Sequence, residues 1–269
     1  MRGRVLVVAG SDSGGGAGIQ ADIKAITALG GFAATALTAL TAQNTIGVFG
    51  VHPVPAAFIR QQIQVVMEDI GADVIKSGML GDVATIETVC AALADYAPHV
   101  PLVLDPVMVA KGGHSLLAGD AVSVLRSRLL PMASVITPNL PEAEALSGMP
   151  IRSVADMHAA AAILLSLGVP AVFLKGGHLP GDQLTDLLAT QQGIETFAGQ
   201  RIPTRHTHGT GCTTASAIAA GLAQGMTLRD AVVRARAYVR AAIASAPGFG
   251  AGHGPLDHAV TFDPSRLEV

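Results

Sequence analysis

Short apolar runs alternate with longer amphipathic stretches along nearly the whole chain. Val5–Ala9 is unbroken and apolar, too short for a helix, and gives way to the glycine-rich stretch Gly10–Gly16. Ala17–Leu29 then places Ile19, Ile23 and Ile26 at helical spacing. Strands are expected at Ala33–Leu40 and Val48–Val54, on either side of a Gln43–Gly47 turn, and helices at Ala56–Ile70 and Ala84–Tyr96. Further buried strands are expected at Val74–Lys76, Pro101–Leu104, Ser134–Ile136 and Val172–Lys175, with a helix from Ser153 to about Leu167. Leu184–Ala189 and Ile194–Ala198 flank Gln191-Gln192-Gly193 as a hairpin, and helices at Thr210–Gln224 and Leu228–Ser245 close the pattern.

Strands that are apolar throughout, rather than alternately, belong to a sheet covered on both sides. The expected fold is therefore α/β, a mainly parallel central sheet with helices on both faces, forming a single domain over residues 1–269. In such sheets the loops that follow the strands gather along one edge, where ligands bind. Gly10–Gly16, Ser77-Gly78-Met79, Asp105-Pro106-Val107-Met108, Thr137-Pro138-Asn139 and Lys175-Gly176-Gly177-His178 are all such loops.

Composition narrows the class. Half of the 269 residues are hydrophobic, and 17 basic against 20 acidic residues leave a net charge of −3 with no basic cluster. Nucleic acid and acidic membrane surfaces are not expected partners. Two cysteines, Cys90 and Cys212, make no disulfide framework and point to a reducing compartment. The apolar run after Met1-Arg2-Gly3-Arg4 is too short for a signal segment, and no stretch reaches membrane-span length, so a cytoplasmic protein is expected.

The densest chemical signal lies late, in Thr207-His208-Gly209-Thr210-Gly211-Cys212-Thr213-Thr214, which opens an alanine-rich helix. Glycines let backbone approach a ligand closely, and a helix N-terminus directs unpaired N–H groups and a positive dipole end at one point. The stretch is a candidate phosphate site, with Cys212 at its mouth, where the helix dipole lowers a thiol's pKa. Asn139 is a candidate N-cap ahead of Pro141 and Glu142. Taken alone, Glu142 answers the helix dipole; beside Asp105 at a ligand edge it becomes a candidate for holding Mg²⁺ through water. Lys175 reads either as a snorkelling strand-end lysine or as a phosphate-neutralising one. Cys90 reads as a small buried hydrophobe, and Arg229, Arg234, Arg236 and Arg240 as a mostly solvated helix face. His52, His99, His114, His158 and His178 lack metal-ligand spacing, so no zinc site is expected. The first loop matches neither the dinucleotide nor the P-loop pattern.

Several segments taken in order carry a resemblance. They are Ala9-Gly10-Ser11-Asp12, Gly15–Asp22, Ala39–Thr45, Lys76–Leu80, Leu104–Met108, Ile136–Ala143, Leu174–His178 and Thr207–Thr213. Together they resemble the hydroxymethylpyrimidine/phosphomethylpyrimidine kinases of thiamin biosynthesis, within the ribokinase-like superfamily, over nearly the whole chain. The resemblance implies a ribokinase-like fold and ATP with Mg²⁺ as phosphoryl donor. It implies phosphorylation of 4-amino-5-hydroxymethyl-2-methylpyrimidine to the monophosphate and then to the diphosphate, often by a homodimer. Position by position, it implies that Gln43 reads the aminopyrimidine, with Gly10, Ala17, Met79 and Val107 around the ring. Gly209, Thr210, Gly211 and Cys212 would form the anion hole, Cys212 acting as base toward the substrate hydroxyl. Asn139 and Glu142 would belong to the Mg²⁺/phosphate motif, and Lys175 would face phosphate.

Three positions depart from the family pattern. Ser13-Gly14 replaces a usual Pro-Ser, His114 in Lys111-Gly112-Gly113-His114 stands at a usual aspartate, and Arg236 stands at a frequent lysine. Whether Lys111–Leu117 forms a closing flap is left open by the sequence. So are two alternatives, a pyridoxal/pyridoxine kinase and a non-catalytic ligand-binding relative.

Overall fold

The computed structural model describes residues 2–109, 116–117 and 119–262. Lys111 to Ser115, and His114 with them, lie outside the described residues. The strands are β1 (Arg4–Asp12), β2 (Phe32–Gln43), β3 (Val48–Pro53), β4 (Val74–Ser77), β5 (Leu102–Leu104), β6 (Val135–Ile136), β7 (Ala171–Lys175), β8 (Gln183–Thr190) and β9 (Gly193–Gln200). Among the described residues they form one sheet in the order β3-β2-β1-β4-β5-β6-β7-β8-β9. The pairings from β2 through β1, β4, β5 and β6 to β7 are parallel, and only the flanking β2–β3, β7–β8 and β8–β9 pairings are antiparallel.

The helices are α1 (Gly18–Ala28), α2 (Ala56–Asp69), α3 (Val83–Tyr96), α4 (Ala121–Val124), α5 (Leu140–Ser147), α6 (Val154–Ser166), α7 (Thr210–Ala223) and α8 (Leu228–Ala244). Alternate side chains of β1 point to opposite faces of the sheet. Leu6 and Val8 pack with Ile59, Ile63, Ile86, Leu140 and Met157 on one face, against α2, α3, α5 and α6. Val5 and Val7 pack with Ile19, Ile218 and Val232 on the other, against α1, α7 and α8. The small residues of α7 allow close packing: a Cβ on Gly221 would stand 2.7 Å from that of Ala231 on α8.

Three details differ from the pattern-based expectation. β1 continues to Asp12 instead of ending at Ala9, because Ser11 and Asp12 pair with Leu40 and Thr41 across a register shift. β2 likewise runs on to Gln43, which pairs with Val48, so Gln43 ends a strand instead of opening a turn. The turn itself is held by Asn44, whose Oδ1 accepts the N–H groups of Ile46 and Gly47. Finally, α4 continues through a π-helical turn, Leu125–Leu129, and a 3-10 turn, Leu130–Met132, where no element was expected. Its buried Leu125, Leu129 and Leu130 fall at mixed spacings that give no clean helical period.

Candidate active site

The loops after β1, β4, β5, β6 and β7 do meet at one edge, around a cavity of about 1050 Å³. Gly10, Ala17, Gln43, Met79 and Val107 line it. So do Asp105, Asn139, Glu142 and Lys175, and so do Gly209, Thr210, Gly211 and Cys212. Every candidate residue named from the sequence therefore borders the same space.

Its anion-facing side is built by α7. Gly209 has φ 81° and sits so close to the first loop that a Cβ there would collide with the Gly16 carbonyl, so glycine is required. Among the described residues no side chain caps α7, which leaves first-turn N–H groups for a ligand. A Cβ on Gly211 would lie 3.3 Å from Lys175 Nζ and 3.7 Å from Asp105 Oδ2, so these charges face the same turn. Lys175 is not a snorkelling lysine: its Nζ donates to Asp105 Oδ1 at 3.2 Å, and Thr137 Oγ1 donates to the same oxygen at 3.1 Å.

Asn139 caps α5 as expected. Its Oδ1 accepts the Glu142 N–H at 3.0 Å, and Glu142 Oε2 accepts the Asn139 N–H at 2.8 Å, a complete capping box. Burial nevertheless pushes the Glu142 carboxyl up to about 7, against the pull of Lys175. Of the carboxylates lining the cavity, Asp12 is held by His208 and Asp186 by Arg236, while Asp105 and Glu142 both stand beside Lys175; among the described residues no group of three His, Cys, Asp or Glu converges to hold a metal ion. Two carboxylates whose remaining partners would be phosphate oxygens and waters suit Mg²⁺, and not a site closed by protein ligands alone.

Cys212 departs from expectation. The helix N-terminus was expected to lower its pKa, yet burial pushes the thiol up to about 12, with only partial relief from the nearby Lys76 ammonium. Desolvation of the thiolate outweighs the half-charge of a helix end. Cys90 is buried and its thiol is pushed up to about 11, again by burial. The arginines are also less solvated than their spacing suggested. Arg236 Nε meets Asp186 Oδ2 at 2.9 Å, with its guanidinium 5.1 Å over the Phe197 ring, and Arg234 Nη1 donates to Gln224 Oε1 at 2.6 Å. α8 lies against α7 and reaches the β8–β9 hairpin through its arginine side chains; Arg229 and Arg240 remain exposed.

Four cavity-side or supporting residues had no role assigned from the sequence. Lys76, at the end of an otherwise apolar strand, is fully buried, lines the cavity and pairs with Asp22 of α1 at 2.8 Å. A lysine inside a buried run is the signal that could have flagged it, because unpaired burial of an ammonium is prohibitive. Asp12 and His208 pair at 2.8 Å, and Asp12 also accepts the N–H groups of Gly14, Gly16 and Ala17. That carboxylate orders the first loop, and the histidine ties it to the Gly209 turn. At 3.2 Å, His208 Nε2 also reaches the side-chain nitrogen of Gln43.

The description of one family model, phosphomethylpyrimidine kinase, matches residues 12–257. The chain belongs to that family. Its ribokinase-like fold agrees with that of Bacillus subtilis pyridoxal kinase, solved as an ADP complex, with a TM-score of 0.90 at 36% identity, covering 98% of this chain and 100% of that one. The hydroxymethylpyrimidine/phosphomethylpyrimidine kinase of Bacillus subtilis is 47% identical over 256 residues, 95% of this chain and 94% of the relative. The thiamine biosynthesis bifunctional protein ThiED of Geobacter sulfurreducens is 51% identical over 265 residues, 98% of this chain but 54% of the relative. The chain thus spans about half of that bifunctional relative and nearly all of the Bacillus one. In this chain Gln43 and the Gly209–Cys212 turn border one cavity.

Proposed function

We propose that this protein transfers the γ-phosphoryl group of ATP to 4-amino-5-hydroxymethyl-2-methylpyrimidine, and then phosphorylates the monophosphate to the diphosphate, for thiamin biosynthesis in the cytoplasm. One observation supports this reading above the rest: a carboxamide, Gln43, and the uncapped first turn of α7 border one cavity. A carboxamide accepts from an exocyclic amine while donating to the adjacent ring nitrogen, so one residue reads two positions of an aminopyrimidine. Gly10, Ala17, Met79 and Val107 would enclose the ring. Met79 is held in place by the Thr38 hydroxyl, which donates to its carbonyl at 2.7 Å.

Phosphoryl transfer asks mainly for positioning and charge stabilisation. The N–H groups of Gly209–Cys212 would hold the transferring phosphoryl. Lys175, Thr210 and Asn139 would bind ATP, Lys175 offering a point charge fixed by Asp105. Asp105 and Glu142 would hold Mg²⁺, which when bound draws charge from the phosphate oxygens. Cys212 would take the hydroxyl proton in the first transfer. Because its thiol is neutral near pH 7, that role belongs to a small thiolate fraction that grows with pH. The whole of 1–269 would act as one kinase domain, its nine described strands forming a single sheet.

We also propose that two copies associate. Leu40, Phe49 and Val51 on the paired strands β2 and β3, and Phe58 in the first turn of α2, are exposed large apolar side chains that a second copy would cover. The catalytic reading is tested by incubating the protein with ATP, Mg²⁺ and the pyrimidine alcohol, and following ADP and product masses. Successive mono- and diphosphate formation is expected; ATP turnover that ignores the alcohol would sink the reading.

A further inference from the structure

The hydrogen-bond neighbours of Gln43 fix more than its position. His208 Nε2 lies 2.8 Å from Asp12 Oδ2 and 3.2 Å from Gln43 Nε2, and a single ring nitrogen cannot donate to one and accept from the other. Asp12 decides the matter. Its carboxylate accepts three backbone N–H groups as well as facing His208, and these bonds hold it below its ordinary value although burial pushes upward. An ionised carboxylate only accepts, so Nε2 carries a hydrogen and donates it to Asp12.

The other end of Gln43 meets the same demand. Thr41 Oγ1 is 2.9 Å from the Ser11 carbonyl and 3.2 Å from Gln43 Oε1. The Ser11 backbone carbonyl can only accept, whereas the Gln43 amide can present its nitrogen instead, so the one hydroxyl hydrogen goes to Ser11, and Thr41 offers Gln43 a lone pair. With its nitrogen toward His208 and its oxygen toward Thr41, the amide would set a donor against an N–H and an acceptor against a lone pair. Half a turn of the nearly isosteric amide replaces the donor–donor contact at His208 with an oxygen beside the Nε2 hydrogen, shared with Asp12, and lets the Gln43 nitrogen donate to Thr41 Oγ1. The ring that imposes this is itself closely packed: a Cβ on Gly16 would come within 2.5 Å of His208 Cδ2, and the backbone N–H of His208 donates to the Gly254 carbonyl at 3.1 Å.

We infer that His208, holding its Nε2 hydrogen toward Asp12, fixes the Gln43 amide with oxygen toward His208 and nitrogen toward Thr41, and so sets the donor–acceptor order presented to the substrate. His208 is then a specificity-determining positioning residue that need not touch substrate. The inference rests on the reading of Gln43 as the residue facing the aminopyrimidine edge. A 4-amino pyrimidine offers a donor beside an acceptor, whereas its 4-oxo analogue offers an acceptor beside a donor. A free amide turns over to suit either; a pinned one suits one of them.

The test compares kcat/KM for the 4-amino and 4-oxo forms of the 5-hydroxymethyl-2-methylpyrimidine alcohol in wild type, His208→Leu, His208→Gln and Gln43→Leu. Wild type is expected to favour the amino form. His208→Leu should lower that preference about tenfold or more, the scale of one mismatched buried hydrogen bond. His208→Gln, whose side-chain N–H reaches the same place, should retain the preference, an outcome that a purely structural role for His208 does not require. Loss of preference in Gln43→Leu together with its survival in His208→Leu would overturn the inference while leaving the Gln43 reading intact. Survival in Gln43→Leu would overturn that reading and the inference with it. Should a variant not fold, the ¹⁵N spectrum of histidine-labelled wild type decides: a hydrogen on His208 Nε2 is expected, and a bare Nε2 contradicts the inference.

Discussion

Lys76 Nζ meets Asp22 Oδ1 at 2.8 Å with both side chains wholly shut off from solvent. Ser216 Oγ donates to the same oxygen at 2.6 Å, so the pair ties β4 to α1 and α7. Burial, the largest single influence, would lower the lysine's pKa; the groups facing it, Asp22 foremost through its charge and its hydrogen bond, together more than offset this and hold it raised. An ammonium thus remains charged at the inner wall of the cavity.

Removing one partner of this pair leaves the other buried without its counter-charge, and burial already pushes the Asp22 carboxyl upward. Lys76→Met should lower unfolding stability by about 3–5 kcal/mol, and Lys76→Met with Asp22→Leu should recover most of it. Since the folded lysine's pKa is raised, its contribution is fully present below the ordinary lysine value and is lost only as pH rises beyond it. Chemical denaturation of both variants from neutral pH to about pH 9 checks this; a single variant as stable as wild type would contradict it.

Glu142 carries a cost that the proposed Mg²⁺ role would explain. Its carboxyl is pushed from 4.5 up to about 7 by burial, so its stabilising contribution is fully present below about pH 4.5 and lost as pH rises through about 7. Glu142→Gln keeps an oxygen for the capping box without the charge. The variant should be more stable than wild type at pH 8, by on the order of 2–3 kcal/mol, and no more stable near pH 4.5. It should also need more Mg²⁺ for turnover. Thermal unfolding at the two pH values checks the first point, and a Mg²⁺ titration of activity the second.

The two transfers should depend differently on Cys212. The alcohol of the first must lose a proton, whereas the phosphate oxygen of the second is already ionised. Cys212→Ala should slow the first transfer by about 10²-fold or more and the second far less. With the thiol pushed up to about 12, the wild-type first transfer should also quicken from about pH 7 to about pH 9, as thiolate grows, while that of Cys212→Ala stays flat. Rates measured with each substrate supplied separately decide. Equal loss in both steps would remove the base role from Cys212.

The exposed Phe49 reports on assembly. If β3 joins two copies, Phe49→Asp should place a charge in their contact and shift the sedimentation coefficient from dimer to monomer. An unchanged coefficient would move the contact elsewhere.

The parallel sheet and its ligand edge were legible because they depend on local pattern: apolar strands, helical spacing and glycine turns. The Asn139–Glu142 capping box was legible for the same reason, as both partners fall within four residues. The pairings hidden from the sequence span it. His208 finds Asp12 across 196 positions, and Lys76 finds Asp22 across 54, so no spacing announces either. Cys212 misled because a local rule, the helix end, lost to a non-local one, desolvation by the surrounding fold. Arg236 misled similarly, since Asp186 and Phe197 on the hairpin supply the partners that a solvated face would lack.

Fold alone does not choose the substrate, because a pyridoxal kinase shares it closely. In the proposed reading the choice rests on Gln43, which borders the cavity. The most direct measurement is steady-state kinetics of the purified protein with ATP, comparing the 4-amino-5-hydroxymethylpyrimidine with pyridoxal. A carboxamide matched to the aminopyrimidine edge predicts kcat/KM higher for the pyrimidine by about 10²-fold or more. Equal or better phosphorylation of pyridoxal would contradict it.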